Sequence, residues 1–258
     1  MDPRETTDAA MTPPSPELDT VGSFDCAEES AHYAFSVQLL LGEYASVLPW
    51  REEGVAELGS GDARAIGGVV RALPGLRVHG TDISATSVQR ARATIDELGV
   101  AGRYTVEHGD FFEWADSPAG LGVSTVIANP PYIPAPDGAI LMPELWGGEH
   151  GNDLALRLLK AGFDHLLIAL PSYSDPAETL ATAADLGYRV VNFLAMGLEF
   201  GRYSNEPKVA RHIRQLVAEG HGWAGEDEYV VAVALLTRSP DVSRDRSAQL
   251  RRALQLPR

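Results

Sequence analysis

The 258-residue sequence contains one cysteine, Cys26, so it cannot form an internal disulfide bond. It also lacks a Cys/His cluster with the spacing of zinc ligands, and we predict no metal site. No apolar run approaches the roughly 18 residues of a membrane span, and the acidic N-terminus lacks the apolar core of a secretory signal. These absences predict an intracellular, cytoplasmic protein in a reducing setting, with no membrane partner.

Positive charge is also scarce. The chain carries 21 Lys and Arg against 36 Asp and Glu, which gives a formal net charge of −15. Proteins that bind nucleic acids usually present a basic face, because phosphate contacts dominate their affinity. We therefore consider a nucleic-acid partner unfavoured.

The composition divides the chain into segments around one large core. Residues 1–20 are rich in Pro, Thr and acidic residues, and we predict a disordered tail. Residues 21–50 form a short N-terminal helical segment, residues 51–238 form the main domain, and residues 239–258 form an arginine-rich tail.

Within the main domain, short apolar strands alternate with amphipathic helices, which predicts an α/β fold with helices on both faces of a Rossmann-like, doubly wound sheet. Residues 195–225 form a lid-like insertion before the last strand, and periodicity alone does not orient that strand. The seven predicted strands are 55–58, 77–81, 104–107, 125–128, 165–170, 189–194 and 228–236.

A glycine turn follows the first strand, in the segment Glu57-Leu-Gly-Ser-Gly61. Gly59 and Gly61 lack Cβ atoms, so the turn can be sharp and a ligand can approach its backbone. About 20 residues later, Asp82 ends the second strand, where an acidic residue binds a ribose diol. Arg64 occupies the third glycine position of G-x-G-x-x-G, which favours a nucleoside ligand without pyrophosphate over NAD.

Asp110 and Phe111 follow the third strand. Asp110 is placed to accept a hydrogen bond from the exocyclic amine of a base, and Phe111 is placed to pack on that base. The alternative is a core aromatic pair beside a helix-capping aspartate, and the residues leave both open.

The fourth strand ends in the stiff polar turn Asn129-Pro-Pro-Tyr132. The prolines fix φ and supply no N–H group, so the turn presents carbonyl groups without competing donors. The Asn129 side-chain oxygen and the Pro130 carbonyl can each accept one N–H, and Tyr132 can stack on a planar group. The turn suits a site that holds a planar nitrogen still.

These motifs together resemble those of class I S-adenosylmethionine-dependent methyltransferases. Residues 57–61 match the first motif, although Ala63 replaces its usual final glycine, and residues 129–132 match the motif of amino-methyltransferases acting on planar nitrogens. The resemblance implies S-adenosylmethionine as cofactor and an antiparallel last strand in a mostly parallel seven-stranded sheet. The implied cofactor-binding residues are Glu57, Gly59, Ser60, Gly61, Asp82, Ile83, Asp110, Phe111 and Asn129.

Over residues 50–171 the chain resembles the release-factor glutamine methyltransferases in particular. Those enzymes follow Asn-Pro-Pro-Tyr-Ile with a Gly-Gly-x-x-Gly-x-Asp segment, which here is residues 147–153. Two features depart from that pattern. The bacterial enzymes have a helical N-terminal substrate domain, whereas only a short ordered segment precedes the core here. Residues 200–205 and the basic helix at 208–214 have no counterpart.

The resemblance implies catalytic roles for Asn129, Pro130 and Tyr132, and we expect Pro131, Tyr132, Trp146 and Tyr203 to contact the substrate. The basic residues Lys208, Arg211 and Arg214 form either a solvated helix face or a lid over an anionic substrate. No histidine is assigned as a base, since an amine loses its proton after attack and solvent can accept it.

The function expected from the sequence is methyl transfer to a planar nitrogen of a small, natural-product-like acceptor. The departures from the release-factor enzymes favour this acceptor. The alternatives are a protein glutamine methyltransferase, a nucleic-acid N-methyltransferase and a regulator that binds the cofactor without catalysis. The sequence leaves the methylated atom open between nitrogen, oxygen and carbon, and it does not indicate the oligomeric state.

Overall fold

The structure is a computed structural model that describes residues 26–256, so the predicted tail at 1–20 lies outside it. The strands are β1 (Val55–Leu58), β2 (Val78–Asp82), β3 (Tyr104–His108), β4 (Thr125–Ala128), β5 (His165–Pro171), β6 (Arg189–Glu199) and β7 (Glu228–Thr237). The helices are α1 (Ala27–Glu43), α2 (Trp50–Glu53), α3 (Arg64–Ala72), α4 (Ala85–Glu97), α5 (Phe111–Ala115), α6 (Asp153–Ala161), α7 (Pro176–Asp185), α8 (Pro207–Glu219) and α9 (Ser247–Ala253).

The seven strands form one sheet in the order β3-β2-β1-β4-β5-β7-β6. Strands β1 to β5 pair in parallel, whereas β7 runs antiparallel to both of its neighbours, β5 and β6. The predicted mostly parallel sheet with an antiparallel last strand is confirmed.

Helices cover both faces of the sheet, so the central strands are buried on both sides. One core cluster joins the sheet to α1, α3 and α4 through residues such as Leu40, Ile66 and Ile95. The other joins it to α6, α7 and α9 through residues such as Leu158 and Leu250. Within the part of the chain that the structure describes, no helix is long and apolar enough to cross a membrane.

Two predicted segment boundaries are corrected. The lid-like insertion was predicted at 195–225, but residues 195–199 continue β6 and pair with β7 as far as Glu199. The predicted tail at 239–258 contains α9, and both Leu250 in this helix and Leu254 directly after it are fully buried. Arginines on the exposed side of this short helix obscured its apolar face in the sequence.

Candidate active site

The sheet register places the predicted site residues in one row. Leu58 at the end of β1 pairs with Thr81 of β2 on one side and with Ala128 of β4 on the other. The next residues along these strands are Gly59, Asp82 and Asn129, so all three lie at the carboxyl edge of the sheet. The chain changes direction between β1 and β4, and ligands of open α/β sheets bind at such a switch point.

The glycine turn is held against Asp82 by backbone amides. Gly61 N–H donates to Asp82 Oδ2 at 2.9 Å, and Ser84 N–H donates to Asp82 Oδ1 at 2.8 Å. Gly59 and Gly61 have φ of 74° and 56°, and a Cβ built on either residue would meet no atom within 4 Å. The turn therefore faces open space that a ligand can enter next to a fixed carboxylate.

Ala63 occupies the position where the resembled family has its final glycine. Its backbone is left-handed, with φ 60° and ψ 5°, and it caps α3. A left-handed conformation costs a residue with a Cβ about 1–2 kcal/mol relative to glycine. Ala63 therefore adopts a backbone conformation that favours glycine.

Glu57 lies buried at the middle of the sheet, where it is 3% exposed. The Tyr104 hydroxyl donates a hydrogen bond to its carboxylate. Burial raises the pKa of Glu57 to about 8, and the Tyr104 hydrogen bond opposes that rise. Gly80 permits this packing, because a Cβ there would overlap Ser60 Oγ.

Asp110 caps α5 as the alternative interpretation of the sequence predicts. Its Oδ1 accepts from Phe112 N–H at 2.7 Å and from Glu113 N–H at 3.2 Å, while its Oδ2 lies 3.5 Å from Arg157 Nη1. The carboxylate lies near the sheet edge and is partly exposed.

Phe111, which the sequence predicts to pack on a base, is buried in this conformation. The residue is 4% exposed and its ring is enclosed by Phe112, Trp114 and Phe163. The exposed apolar side chain beside Asp82 is instead Ile83, which is 74% exposed.

Asn129 is oriented by an acidic residue from α1. Its Nδ2 donates to Glu29 Oε1 at 3.0 Å, whereas its Oδ1 is buried with no hydrogen-bond partner among residues 26–256. A buried acceptor left unpaired costs about 1–3 kcal/mol, so such an atom calls for an explanation. The predicted role of this oxygen, to accept an N–H from a substrate, supplies one.

Glu29 also binds two tyrosine hydroxyls. Tyr132 donates to its Oε2, and Tyr229 donates to the same oxygen at 3.0 Å. Glu29 is 1% exposed, and burial raises the pKa of its carboxyl against the opposing effect of the three hydrogen bonds. Sequence reasoning missed Glu29, although an acidic residue on the apolar stripe of α1, four residues before Tyr33, was a usable signal.

Tyr132, which the sequence predicts to stack on a planar substrate, is buried in this conformation. Tyr132 is 6% exposed, and its ring packs edge-on against Tyr173 with centroids 6.1 Å apart. The tyrosine of the motif therefore anchors Glu29, and through Glu29 it holds Asn129.

The glycine-rich segment at 147–153 folds back against the Asn-Pro-Pro-Tyr turn. A Cβ on Gly147 would lie 2.6 Å from Tyr132 Cα, and one on Gly151 would overlap the Tyr132 carbonyl. Ser174 Oγ donates to that carbonyl at 2.9 Å. The glycines are needed for this close packing.

Of the remaining predicted substrate residues, Pro131 and Trp146 lie in this loop region. Pro131 is partly exposed, and its carbonyl lies close to Gly147. Trp146 is 39% exposed and donates from its indole to the Ala135 carbonyl at 3.0 Å. Tyr203 is partly buried and packs against the core.

Helix α8 is docked on the loop that follows the Asn-Pro-Pro-Tyr turn. Lys208 binds Asp137 and the Ala139 carbonyl, and His212 Nε2 lies 2.8 Å from the Glu149 carbonyl. Lys208 therefore tethers the helix, whereas Arg211 and Arg214 are exposed.

Comparison with solved structures identifies the fold. The chain is similar to a putative RNA methyltransferase from Pyrococcus horikoshii, with a TM-score of 0.53 and 17% identity over 87% of this chain and 94% of that one. It is also similar to magnesium protoporphyrin IX methyltransferase from Synechocystis, with a TM-score of 0.50 and 16% identity over 80% and 78%. The fold is that of the class I methyltransferases.

Sequence comparison gives a narrower result. The chain is 36% identical over 150 residues to a protein from Moorella thermoacetica, across 53% of this chain and 51% of that one, and 29% identical over 191 residues to one from Gloeobacter violaceus, across 70% and 58%. Both relatives are named release factor glutamine methyltransferase. This chain is similar to the release factor glutamine methyltransferases.

The similarity has limits in length. The chain spans about half the length of the curated relatives it matches. A ribosomal protein uL3 glutamine methyltransferase from Bradyrhizobium diazoefficiens is 32% identical over 102 residues, across 36% of this chain and 31% of that one. No protein-family profile matches the chain.

Proposed function

We propose that this chain is an S-adenosylmethionine-dependent N-methyltransferase whose acceptor is the carboxamide of a protein glutamine. The observation that carries the proposal is the unpaired Asn129 Oδ1, held at the switch point of the sheet beside the glycine turn and Asp82. The names of the similar curated proteins support the glutamine acceptor over the small-molecule acceptor expected from the sequence.

The residues at the sheet edge fit the cofactor. The turn at Gly59 and Gly61 has room above it, and Asp82 presents a fixed carboxylate to a ribose diol. Ile83 offers an exposed apolar surface for a base, with Asp110 placed for its amine. When bound, S-adenosylmethionine supplies an electrophilic methyl group on a sulfonium.

The acceptor nitrogen is held by two oxygens. Asn129 Oδ1 and the Pro130 carbonyl each accept one of the two N–H groups of a carboxamide, which fixes the nitrogen and directs its lone pair at the methyl group. Positioning of this kind can supply about 7–11 kcal/mol of a barrier. The nitrogen releases a proton after attack, and solvent accepts it.

Glu29 is a positioning residue in this scheme. The Glu29 carboxylate oxygen accepts a hydrogen bond from Asn129 Nδ2, which leaves Asn129 Oδ1 for the acceptor. Tyr132 and Tyr229 hold the same carboxylate from the other side. The four side chains form one network whose only unpaired atom, within the described part of the chain, is the buried Asn129 Oδ1.

A small planar amine or heterocycle is the second candidate acceptor. It is favoured by α8, which packs through Lys208 and His212 on the loop that follows the Asn-Pro-Pro-Tyr turn, here called the acceptor loop. This helix limits the space beside the loop. A nucleic-acid acceptor is unfavoured because the net charge of −15 repels phosphate.

Transfer of labelled methyl groups distinguishes the acceptors. The protein is incubated with methyl-labelled S-adenosylmethionine and a peptide carrying Gly-Gly-Gln, with the Gly-Gly-Glu peptide as the control that lacks the amide nitrogen. We expect label in the first peptide, none in the second, and none in either with Asn129→Ala. Label in small planar amines and in neither peptide would support the second candidate and contradict a glutamine acceptor.

A further inference from the structure

Two histidines and an aspartate meet at the glycine-rich segment at 147–153. His150 Nδ1 lies 2.8 Å from Asp175 Oδ2, and His221 Nδ1 lies 2.7 Å from the same oxygen. The two imidazole rings meet edge to face with centroids 4.5 Å apart. One carboxylate oxygen therefore has two imidazole nitrogens around it.

The three residues come from three different segments of the chain. His150 belongs to the glycine-rich segment at 147–153, Asp175 precedes α7, and His221 follows α8. His150 and His221 lie 25 and 46 positions from Asp175 in the sequence. No spacing pattern could reveal them, which is why the sequence predicted no metal site.

The backbone at the central residue is preorganised. Asp175 is 2% exposed and left-handed, with φ 42° and ψ 55°, a conformation that costs a non-glycine residue about 1–3 kcal/mol. Its Oδ1 is fixed by the Glu178 N–H at 3.0 Å, which leaves Oδ2 directed at the histidines. His221 directly follows Gly220, the left-handed residue that ends α8.

We propose that His150, Asp175 and His221 form a binding site for a divalent transition-metal cation of the Zn²⁺ class. The three ligand atoms all lie within 4.8 Å of one another. Zn²⁺–ligand bonds of about 2.0–2.2 Å at the tetrahedral angle place neighbouring ligand atoms about 3.3–3.6 Å apart, so the N–O contacts of 2.8 and 2.7 Å would widen by somewhat under 1 Å on loading. Two imidazoles with one carboxylate suit Zn²⁺, Co²⁺ or Ni²⁺, whereas Mg²⁺ and Ca²⁺ prefer oxygen ligands.

The site is open enough to load and to complete its coordination with water. The His150 and His221 side chains are 33% and 38% exposed, while Asp175 is buried. Binding uses the Nδ1 lone pairs, so the ring proton of each neutral imidazole lies on Nε2 in the loaded site.

Loading would cross-link the acceptor side of the molecule. The ion joins the glycine-rich segment at 147–153 to the ends of α7 and α8. Ser174, the neighbour of Asp175, binds the Tyr132 carbonyl, so the cross-link braces the Asn-Pro-Pro-Tyr turn. The role we assign to the ion is this bracing, and the methyl-transfer chemistry does not need it.

Metal titration of the untagged full chain tests the site. After treatment with chelator, Zn²⁺ and then Co²⁺ are titrated by calorimetry, and Co²⁺ is also followed by its visible absorption. We expect one equivalent of each ion, a rise in Tm on loading, and no competition from excess Mg²⁺. His150→Gln and His221→Gln should each weaken binding by at least about tenfold, since even second-shell changes cost 10–100-fold.

His79→Gln is the matched control, because His79 stacks on Trp114 away from the cluster. It should bind metal like the wild type. Thermal unfolding in chelator verifies that each variant folds. If one of the two histidine variants does not fold, the other still tests the site. Wild-type binding no tighter than that of the folded His150→Gln or His221→Gln protein would overturn the site and leave the cluster as a hydrogen-bonded one only.

Discussion

The site has two halves: the cofactor half around Gly61 and Asp82, and the acceptor half around Glu29 and Asn129. The contacts that build them differ widely in the sequence separation of the residues they join. In the cofactor half, Gly61 binds Asp82 across 21 residues, within one strand–helix–strand unit. In the acceptor half, Glu29 binds Asn129 across 100 residues and Tyr229 across 200. A local unit can be recognised from spacing, whereas the acceptor half exists only once the whole sheet has formed.

The two halves also differ in openness. A Cβ atom added to Gly59 or Gly61 would meet no other atom within 4 Å, so a ligand can enter there. In contrast, Tyr132 and Glu29 are buried, with 6% and 1% of their surface exposed. The glycine turn of the cofactor half is therefore open in this conformation. In the acceptor half the unpaired Asn129 Oδ1 is itself buried, so this half has to open before an acceptor nitrogen can reach that oxygen.

The largest expected effect comes from Asn129→Ala, which separates the two halves. Loss of the oxygen that positions the acceptor should lower turnover by about 100-fold or more, the scale of losing one preorganised polar group at a reaction centre. Affinity for S-adenosylhomocysteine should change by less than about threefold, below 1 kcal/mol. Methyl-transfer rates and calorimetry on the same preparation measure both.

Asn192→Ala is a control for removing a partly buried amide elsewhere, since Asn192 lies on β6 and binds Glu43. Equal losses of turnover in the two variants would mean that Asn129 acts through stability alone.

Asp82→Ala should have the next largest effect, on the cofactor half. A hydrogen bond to a charged group contributes about 1.5–3 kcal/mol, so the Kd for S-adenosylhomocysteine should rise by about 10–100-fold. Calorimetry measures it, with Asp96→Ala on the surface of α4 as the control. If Asn129→Ala weakened cofactor binding more than Asp82→Ala, the assignment of the two halves would be reversed.

Glu29→Ala tests the long-range network. It leaves the buried hydroxyls of Tyr132 and Tyr229 and the Asn129 amide without their acceptor, and unpaired buried groups cost about 1–3 kcal/mol. We expect a turnover loss of about tenfold, the equivalent of 1.4 kcal/mol of positioning, with little change in cofactor affinity. Glu29→Gln should recover part of the loss, because its carbonyl oxygen still accepts.

The exposed neighbour provides the control, since Glu28→Ala removes the same charge from the same helix turn. Glu29→Ala and Glu28→Ala proteins with the same turnover would remove Glu29 from the acceptor half.

The last prediction concerns stability and not activity, at the buried acid of the cofactor half. The pKa of Glu57 rises from 4.5 to about 8 on folding, so the folded state binds the extra proton between these values. Its contribution to stability is complete below about pH 4.5 and is lost as pH rises through about 8. Glu57→Gln should flatten the fall in urea-unfolding free energy between about pH 5 and 8. A slope unchanged from the wild type would show that Glu57 is ionised throughout this range.

What could be predicted from the sequence also differs between local and long-range features. The strand ends at Gly59, Asp82 and Asn129 could be placed because parallel strands share one carboxyl edge. The residues that contact them in the folded protein could not be predicted. Phe111 and Phe112 are adjacent and chemically alike, and only tertiary packing decides which ring is enclosed. Glu29 and the cluster at Asp175 each depend on segments that meet only in the folded chain.

Calorimetric titration of the wild-type protein with S-adenosylhomocysteine, with NADH as the control, tests the central claim most directly. We expect one site with micromolar affinity for S-adenosylhomocysteine and no heat from NADH, because the turn at Gly59 and Gly61 opens next to Asp82 without a pyrophosphate fingerprint. No binding of S-adenosylhomocysteine, or equal binding of NADH, would contradict the proposed methyltransferase.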